Sequence, residues 1–161
     1  MRRILITGMS GVGKSAVIEE LQRRGYRAVD LDQPEWSHYR SPDDPAGAVE
    51  WMWREEEVAE LLHQGGGDIL FVSGCASNQG RFYPWFDRVV LLSADPDVMR
   101  ERLERRTNND FGKDPAELAR IMADKEEVEP LLRRGADIEI DTAQPLEAVV
   151  AEILEVADRE V

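Results

Sequence analysis

An α/β fold, with a parallel sheet of five strands and helices on both of its faces, is predicted by three features of the chain. Five short apolar runs alternate with segments of helical character. Two of these runs, Ile69-Leu70-Phe71-Val72 and Arg88 to Leu92, are continuous rather than alternating, as expected of strands covered on both sides. The first run, Arg3 to Thr7, passes through a glycine-rich turn straight into a helix.

Each element has a local signal. The helix after the first strand runs from about Lys14 to Arg24, where Gly25 stops it, and Arg27 to Asp30 forms a second, short strand. A loop rich in Pro, Ser and Asp spans Gln33 to Pro45 and leads into a helix from about Ala48 to His63, ended by Gly65-Gly66-Gly67. The third and fourth strands are the two continuous runs. Asp95-Pro96 opens the next helix, with Asp as cap and Pro in the first turn. Asp114-Pro115-Ala116-Glu117 repeats that signal, with Glu117 in capping-box position. Asp137 to Ile140 is the fifth strand, and Pro145 opens a terminal helix reaching about Ala157.

A length of 161 residues suits a single domain spanning 1–161. No apolar run is long enough to cross a bilayer, and Met1-Arg2-Arg3 enters a strand without a signal-peptide core, so no membrane partner is expected. The lone Cys75 excludes an internal disulfide and fits a reducing cytoplasm. A net charge of −13 argues against a nucleic-acid partner held by a broad basic surface. Against that background a cluster of arginines, Arg100, Arg102, Arg105 and Arg106, stands out.

The strongest functional signal is Gly8-Met9-Ser10-Gly11-Val12-Gly13-Lys14-Ser15, a complete G-x-x-x-x-G-K-[ST] phosphate loop between a strand and a helix. Its glycines let successive backbone N–H groups face one concavity, to which the helix N-terminus adds positive potential. Gly8, Ser10, Gly11, Val12, Gly13 and Ala16 would cradle the phosphates of ATP, Lys14 would reach the β- and γ-phosphates, and Ser15 would ligate Mg²⁺. The second signal is Asp30-Leu31-Asp32, closing the second strand. Residues i and i+2 of extended chain share a side, so both carboxylates can face the loop. One can bind Mg²⁺ through water, while the other accepts a proton or hydrogen bond from an acceptor hydroxyl.

With these motifs in order, the chain resembles the small phosphate-loop kinases of the nucleoside monophosphate kinase superfamily. Within them it is most similar to the shikimate and gluconate kinase-like branch. GMSGVGKS followed by VDLD carries the resemblance, with FVSGCASNQGRFYPWF similar to the third strand and its loop, and VVLLSADPDVMRERLERRTNNDFGKDP to the fourth strand, helix and lid. The resemblance implies the strand order 2-3-1-4-5, an acceptor lobe at about 33–66 and a lid at about 106–113. It places Asp30 near Mg²⁺, Asp32 at the acceptor hydroxyl and Gly74 where the acceptor approaches. Arg102 stands near the arginine that stacks on adenine, with Arg105 as the alternative. Thr142 and Pro145 fall in the loop that wraps the adenine. Departures from both kinases, notably Gly74-Cys75-Ala76-Ser77 where shikimate kinases carry G-G-G, imply an acceptor that is neither shikimate nor gluconate.

Arg102, Arg105 and Arg106 precede a polar, glycine-containing loop. A planar guanidinium can stack on a purine, and Arg106 is the candidate to stabilise the transferring phosphoryl group. On the acceptor side, Trp36, Trp51 and Trp53 fall in one insertion, where Trp36 is a candidate contact and one of the other two is expected to pack the helix onto the sheet. Asn78 and Arg81 follow the third strand, and Arg81 suits an anionic group unless it pairs at the surface. The expected activity is therefore ATP- and Mg²⁺-dependent phosphoryl transfer to a small-molecule acceptor, in a monomer or homodimer. A nucleoside monophosphate kinase, or a regulatory ATPase acting through a partner, are the alternatives.

Overall fold

The five apolar runs form one parallel sheet. The computed structural model describes residues 1–40, 49–107 and 109–160. β1 (Arg2–Thr7) pairs on one side with β5 (Ile69–Ser73) and on the other with β6 (Arg88–Ser93), in registers Leu5↔Val72 and Leu5↔Val89. β2 (Arg27–Asp30) and β7 (Ile138–Asp141) take the edges, so the order is β2-β5-β1-β6-β7. It is written differently from 2-3-1-4-5 because two further strands lie between the second and third strands expected.

Alternation along β1 explains the two cores. Ile4 and Ile6 face α1 (Lys14–Arg23), α5 (Leu146–Asp158) and the buried residues Met99 and Leu103 of α3 (Pro96–Arg105). Leu5 faces the opposite way, onto Leu61 and Leu62 of α2 (Glu55–His63), Phe82 and Trp53. Burying both faces forces the strands to be apolar throughout, which is why they read as continuous runs. α4 (Pro115–Gly135) follows the lid segment, and Asp114 caps it by accepting from the Ala116 amide at 2.7 Å. Asp95 also stands at an N-cap, with Pro96 beginning the helix, but its side chain makes no capping bond.

The expected helix from Ala48 to His63 is corrected. Its first half is a strand, β4 (Glu50–Trp53), paired antiparallel with β3 (Ser37–Arg40) in the register Tyr39↔Trp51 and Ser37↔Trp53. β3 lies in the stretch expected to be loop, while residues 41–45 of that loop and Ala48 fall outside the described residues. The cause is local. Trp51-Met52-Trp53 favours a pleated, half-buried surface, and Arg54 is extended (φ −70°, ψ 105°). Helix begins only where Glu55, Glu56 and Glu57 stabilise an N-terminus. A 3₁₀ helix, Gln79–Trp85, was also not expected. Among the described residues, no helix is long and apolar enough to cross a membrane.

Candidate active site

At the carboxyl ends of β1 and β2, the phosphate loop and the D-x-D pair meet in an open cavity of about 1530 Å³. That exceeds the ~300–1,000 Å³ of ordinary small-ligand pockets and gives room for two substrates. The loop needs its glycine at position 13, whose φ of +105° at the N-cap of α1 is a conformation that L side chains rarely adopt. Ser10 through Ala16 line the cavity, whereas Gly8 lies behind it and presents its carbonyl to Lys14. The Lys14 ammonium is nearly buried and donates to the carbonyls of Gly8 (2.7 Å) and Met9 (3.1 Å).

Parallel pairing of Asp30 with Ser73 sets the second strand's end beside the loop. Ser15 Oγ donates to Asp30 Oδ2 at 3.2 Å. A hydroxyl and a carboxylate side by side are hard oxygen donors that suit Mg²⁺, which takes one or two protein oxygens beside phosphate oxygens and water. Asp30 Oδ1 accepts from the Asp32 amide at 2.9 Å, a local turn that fixes the second carboxylate. Among the described residues, no cluster of three His, Cys, Asp or Glu forms a separate metal site.

Asp32 is held from three sides. Its Oδ1 accepts from Trp51 Nε1 (3.1 Å) and from the Cys75 amide (3.2 Å), while Oδ2 stands 3.9 Å from Lys14 Nζ. Burial pushes the Asp32 carboxyl above the ordinary aspartate range; Lys14 pulls against this, and Asp30 adds to it. Such a carboxyl is better suited to accept a proton than a solvated aspartate is. Burial likewise pushes the thiol of the half-buried Cys75 up, which does not suit a nucleophile.

Trp51 reaches Asp32 because the hairpin is fastened to the segment after β5. Ser77 N donates to Trp51 O at 3.0 Å, and the Asn78 side chain bonds Trp53 N (2.9 Å) and Trp53 O (3.0 Å), as a neighbouring strand would. Gln79 braces the same segment, accepting from Ala76 N at 2.9 Å and donating to Thr7 Oγ1 at 3.1 Å. Gly74 is the close-approach point behind this arrangement: a Cβ there would meet Trp53 Nε1 at 3.0 Å and Asp32 Oδ1 at 3.3 Å.

Several expected acceptor contacts therefore stand elsewhere. Trp36, Gly74, Asn78 and Arg81 do not line the cavity. Trp36 packs against the second core, Asn78 is buried as the hairpin clamp, and Arg81 is exposed and paired with Glu55 at 2.5 Å. Of the two tryptophans of which one was expected to pack, Trp53 is the buried one, and Trp51 is on the wall, with Tyr39 against it at a ring-centroid distance of 4.8 Å. Its signal was the Trp-x-Trp alternation, which marks a strand rather than a helix.

At the other end of the cavity Arg102, Arg105, Arg106 and Thr142 lie on the wall, while Pro145 caps α5 just outside it. Arg102 Nη1 donates to Val12 O (3.0 Å) and Thr142 Oγ1 (2.7 Å), and Nη2 to Thr142 O, so it ties the phosphate loop to the end of β7. Arg105 is solvated and paired with Glu101 at 2.9 Å. Arg106 Nε donates to Asn109 O at 2.9 Å and Nη2 to Phe111 O, bracing the lid segment from inside. Of that segment, 106–113, residue 108 lies outside the described residues.

Sheet order, loop and paired carboxylates together define a phosphate-loop α/β protein on the small-kinase plan. The AAA domain model matches residues 4–129, and the chain belongs to that family. It is 29% identical over 160 residues to a putative adenylate kinase of Methanocaldococcus jannaschii, covering 95% of this chain and 84% of that one. It is also 42% identical over 72 residues to dephospho-CoA kinase of Rhodopseudomonas palustris, a match that spans 45% of this chain but only 34% of that protein. Among solved structures, shikimate kinase from Acinetobacter baumannii, in complex with shikimate, superposes with a TM-score of 0.66 at 17% identity, over 97% of this chain and 92% of that one. These relatives agree with the resemblance to phosphate-loop kinases; the solved structure speaks for the fold alone.

Proposed function

We propose that the protein is an ATP-dependent small-molecule kinase that transfers the γ-phosphoryl group of ATP to a hydroxyl of its acceptor. The observation that carries this reading is Asp32, half-buried, held by Trp51 and the Cys75 amide, and turned with its other oxygen toward Lys14 over the cavity. The loop amides and Lys14 bind the phosphates, and Ser15 and Asp30 hold Mg²⁺. When bound, that ion would offset negative charge on the phosphates. The acceptor oxygen forms the new bond to the γ-phosphorus, and its proton goes to Asp32 Oδ2. The bond from γ-phosphorus to the bridging oxygen breaks, its electron pair leaving with ADP. Arg106 and the lid segment exclude water, which would otherwise compete as nucleophile. The β3–β4 hairpin serves as the acceptor lobe.

The full-length match to a putative adenylate kinase favours a second reading, in which the acceptor is a nucleoside monophosphate. That acceptor needs arginines beside its phosphate, yet Arg54 donates to Pro34 O and Arg81 pairs with Glu55, neither lining the cavity, and Arg120 shares its part of the wall with the carboxylates of Glu50, Asp124 and Glu127. A nearby carboxylate would also repel the incoming phosphate, which favours the hydroxyl reading. Acceptor-dependent ADP release, with the product identified by mass, tests both. Phosphate monoester from a hydroxyl compound supports the first, and nucleoside diphosphate as the preferred product supports the second.

A further inference from the structure

Charge is divided unevenly along the cavity. The donor end carries Lys14, Arg102, Arg105 and Arg106, with Glu101 paired to Arg105. On the acceptor side the charged wall residues from β4 and α4 are Glu50, Arg120, Asp124 and Glu127. Asp124 lines the same cavity as Asp32 and Cys75. Arg120 stands one helical turn from Asp124 toward the lid, so the wall residues of β4 and α4 carry three carboxylates and one guanidinium. None of the three forms an ion pair among the described residues.

Among the described residues of this lobe, no further cation lines the cavity. Arg40 is opposite Glu50 in the hairpin register but does not line the cavity. The remaining wall is aromatic, with Tyr39 set against Trp51 beside Asp32. Carboxylates and electron-rich ring faces attract the same kind of group, a desolvated organic cation, and both repel an anion.

We infer that the acceptor is a hydroxyl compound carrying an ammonium group, an amino alcohol or amino sugar, whose hydroxyl meets Asp32 while its cation lies against the Tyr39–Trp51 rings and the carboxylates of α4. This rests on the kinase reading and narrows it. It sets the pocket apart from one built for a hydroxy acid or a nucleoside monophosphate. Glu50, Asp124 and Glu127 are specificity-determining residues in this account.

Two series of similar size and graded charge test it: glucosamine, glucose and gluconate; and serinol, glycerol and glycerate. Binding to the protein loaded with a non-hydrolysable ATP analogue and Mg²⁺ is measured by calorimetry, and phosphoryl transfer from ATP by product mass. The ammonium member of a series should bind at least about tenfold tighter than its carboxylate partner, and Asp124→Asn with Glu127→Gln should shrink that ratio to about threefold or less. Glu126→Gln, outside the cavity wall, should leave the ratio unchanged. Equal or tighter binding of the neutral or anionic members, binding by none, or a ratio untouched by the double variant would overturn the charge assignment. The kinase reading fails separately, if the tightest-binding member gains no phosphoryl group above a Lys14→Ala background.

Discussion

The two ends of the cavity are built on different physical principles. The donor end works through the backbone: a fixed run of amides and a helix N-terminus, with Lys14 anchored on loop carbonyls and Arg102 tying the loop to Thr142. In the proposed reading the acceptor end works through side chains gathered from separate segments, Asp32, Tyr39 with Trp51, and Asp124, all of which line the cavity. Backbone recognition of phosphate is the same for every nucleoside triphosphate. Side-chain recognition by tertiary assembly can be changed one residue at a time without disturbing the donor end. One fold therefore supports many acceptors.

The largest expected effect lies at the donor end. Lys14→Ala should lower kcat/KM by about 10³–10⁴-fold, because a cation on the transferring phosphoryl group is removed, and steady-state ADP release measures it. Asp32→Asn should lower kcat by about 10²–10³-fold with ATP affinity retained, which single-turnover transfer and nucleotide titration together separate. The same variant should be more stable at neutral pH. A carboxyl whose folded value is raised loses stability as pH climbs from the unfolded toward the folded value, and the amide does not. The gain in Tm should therefore vanish below the ordinary carboxylate range.

Trp51→Phe keeps the ring and removes the N–H that stabilises the ionised Asp32. A drop of about tenfold in kcat is expected, with the acid limb of the pH–rate profile moving to higher pH. A role in packing alone would lower Tm and leave that limb in place. The smallest effect belongs to Arg81→Ala, within about twofold in kcat/KM, since its guanidinium is a solvated partner of Glu55 away from the cavity wall. A tenfold or greater loss there would mean that an anion-binding arginine serves the acceptor, and would erase the contrast between the ends.

The same contrast explains what was legible in the sequence. Motifs whose parts are contiguous, such as the loop from Gly8 to Ser15 or Asp30-Leu31-Asp32, carry their geometry with them, and Ser15 and Asp30 do meet at 3.2 Å. The sheet strands were legible because burial on two faces leaves continuous apolar runs. The hairpin was not, since Glu50–Trp53 is four residues of mixed character adjoining a true helix, and its pairing with Ser37–Arg40 crosses a long connection. Asn78 and Arg81 looked like ligand contacts because both are polar and follow β5. Only the fold reveals that one clamps Trp53 and the other faces solvent.

The central claim, transfer to a hydroxyl with Asp32 as proton acceptor, is tested most directly by the pH dependence of acceptor-dependent phosphoryl transfer in the wild-type protein and in Asp32→Asn. The wild-type rate should fall on an acid limb above the ordinary carboxylate range, and the variant should retain about a hundredth or less of the activity, without that limb. Wild-type rates in Asp32→Asn, with the limb unchanged, would contradict the account.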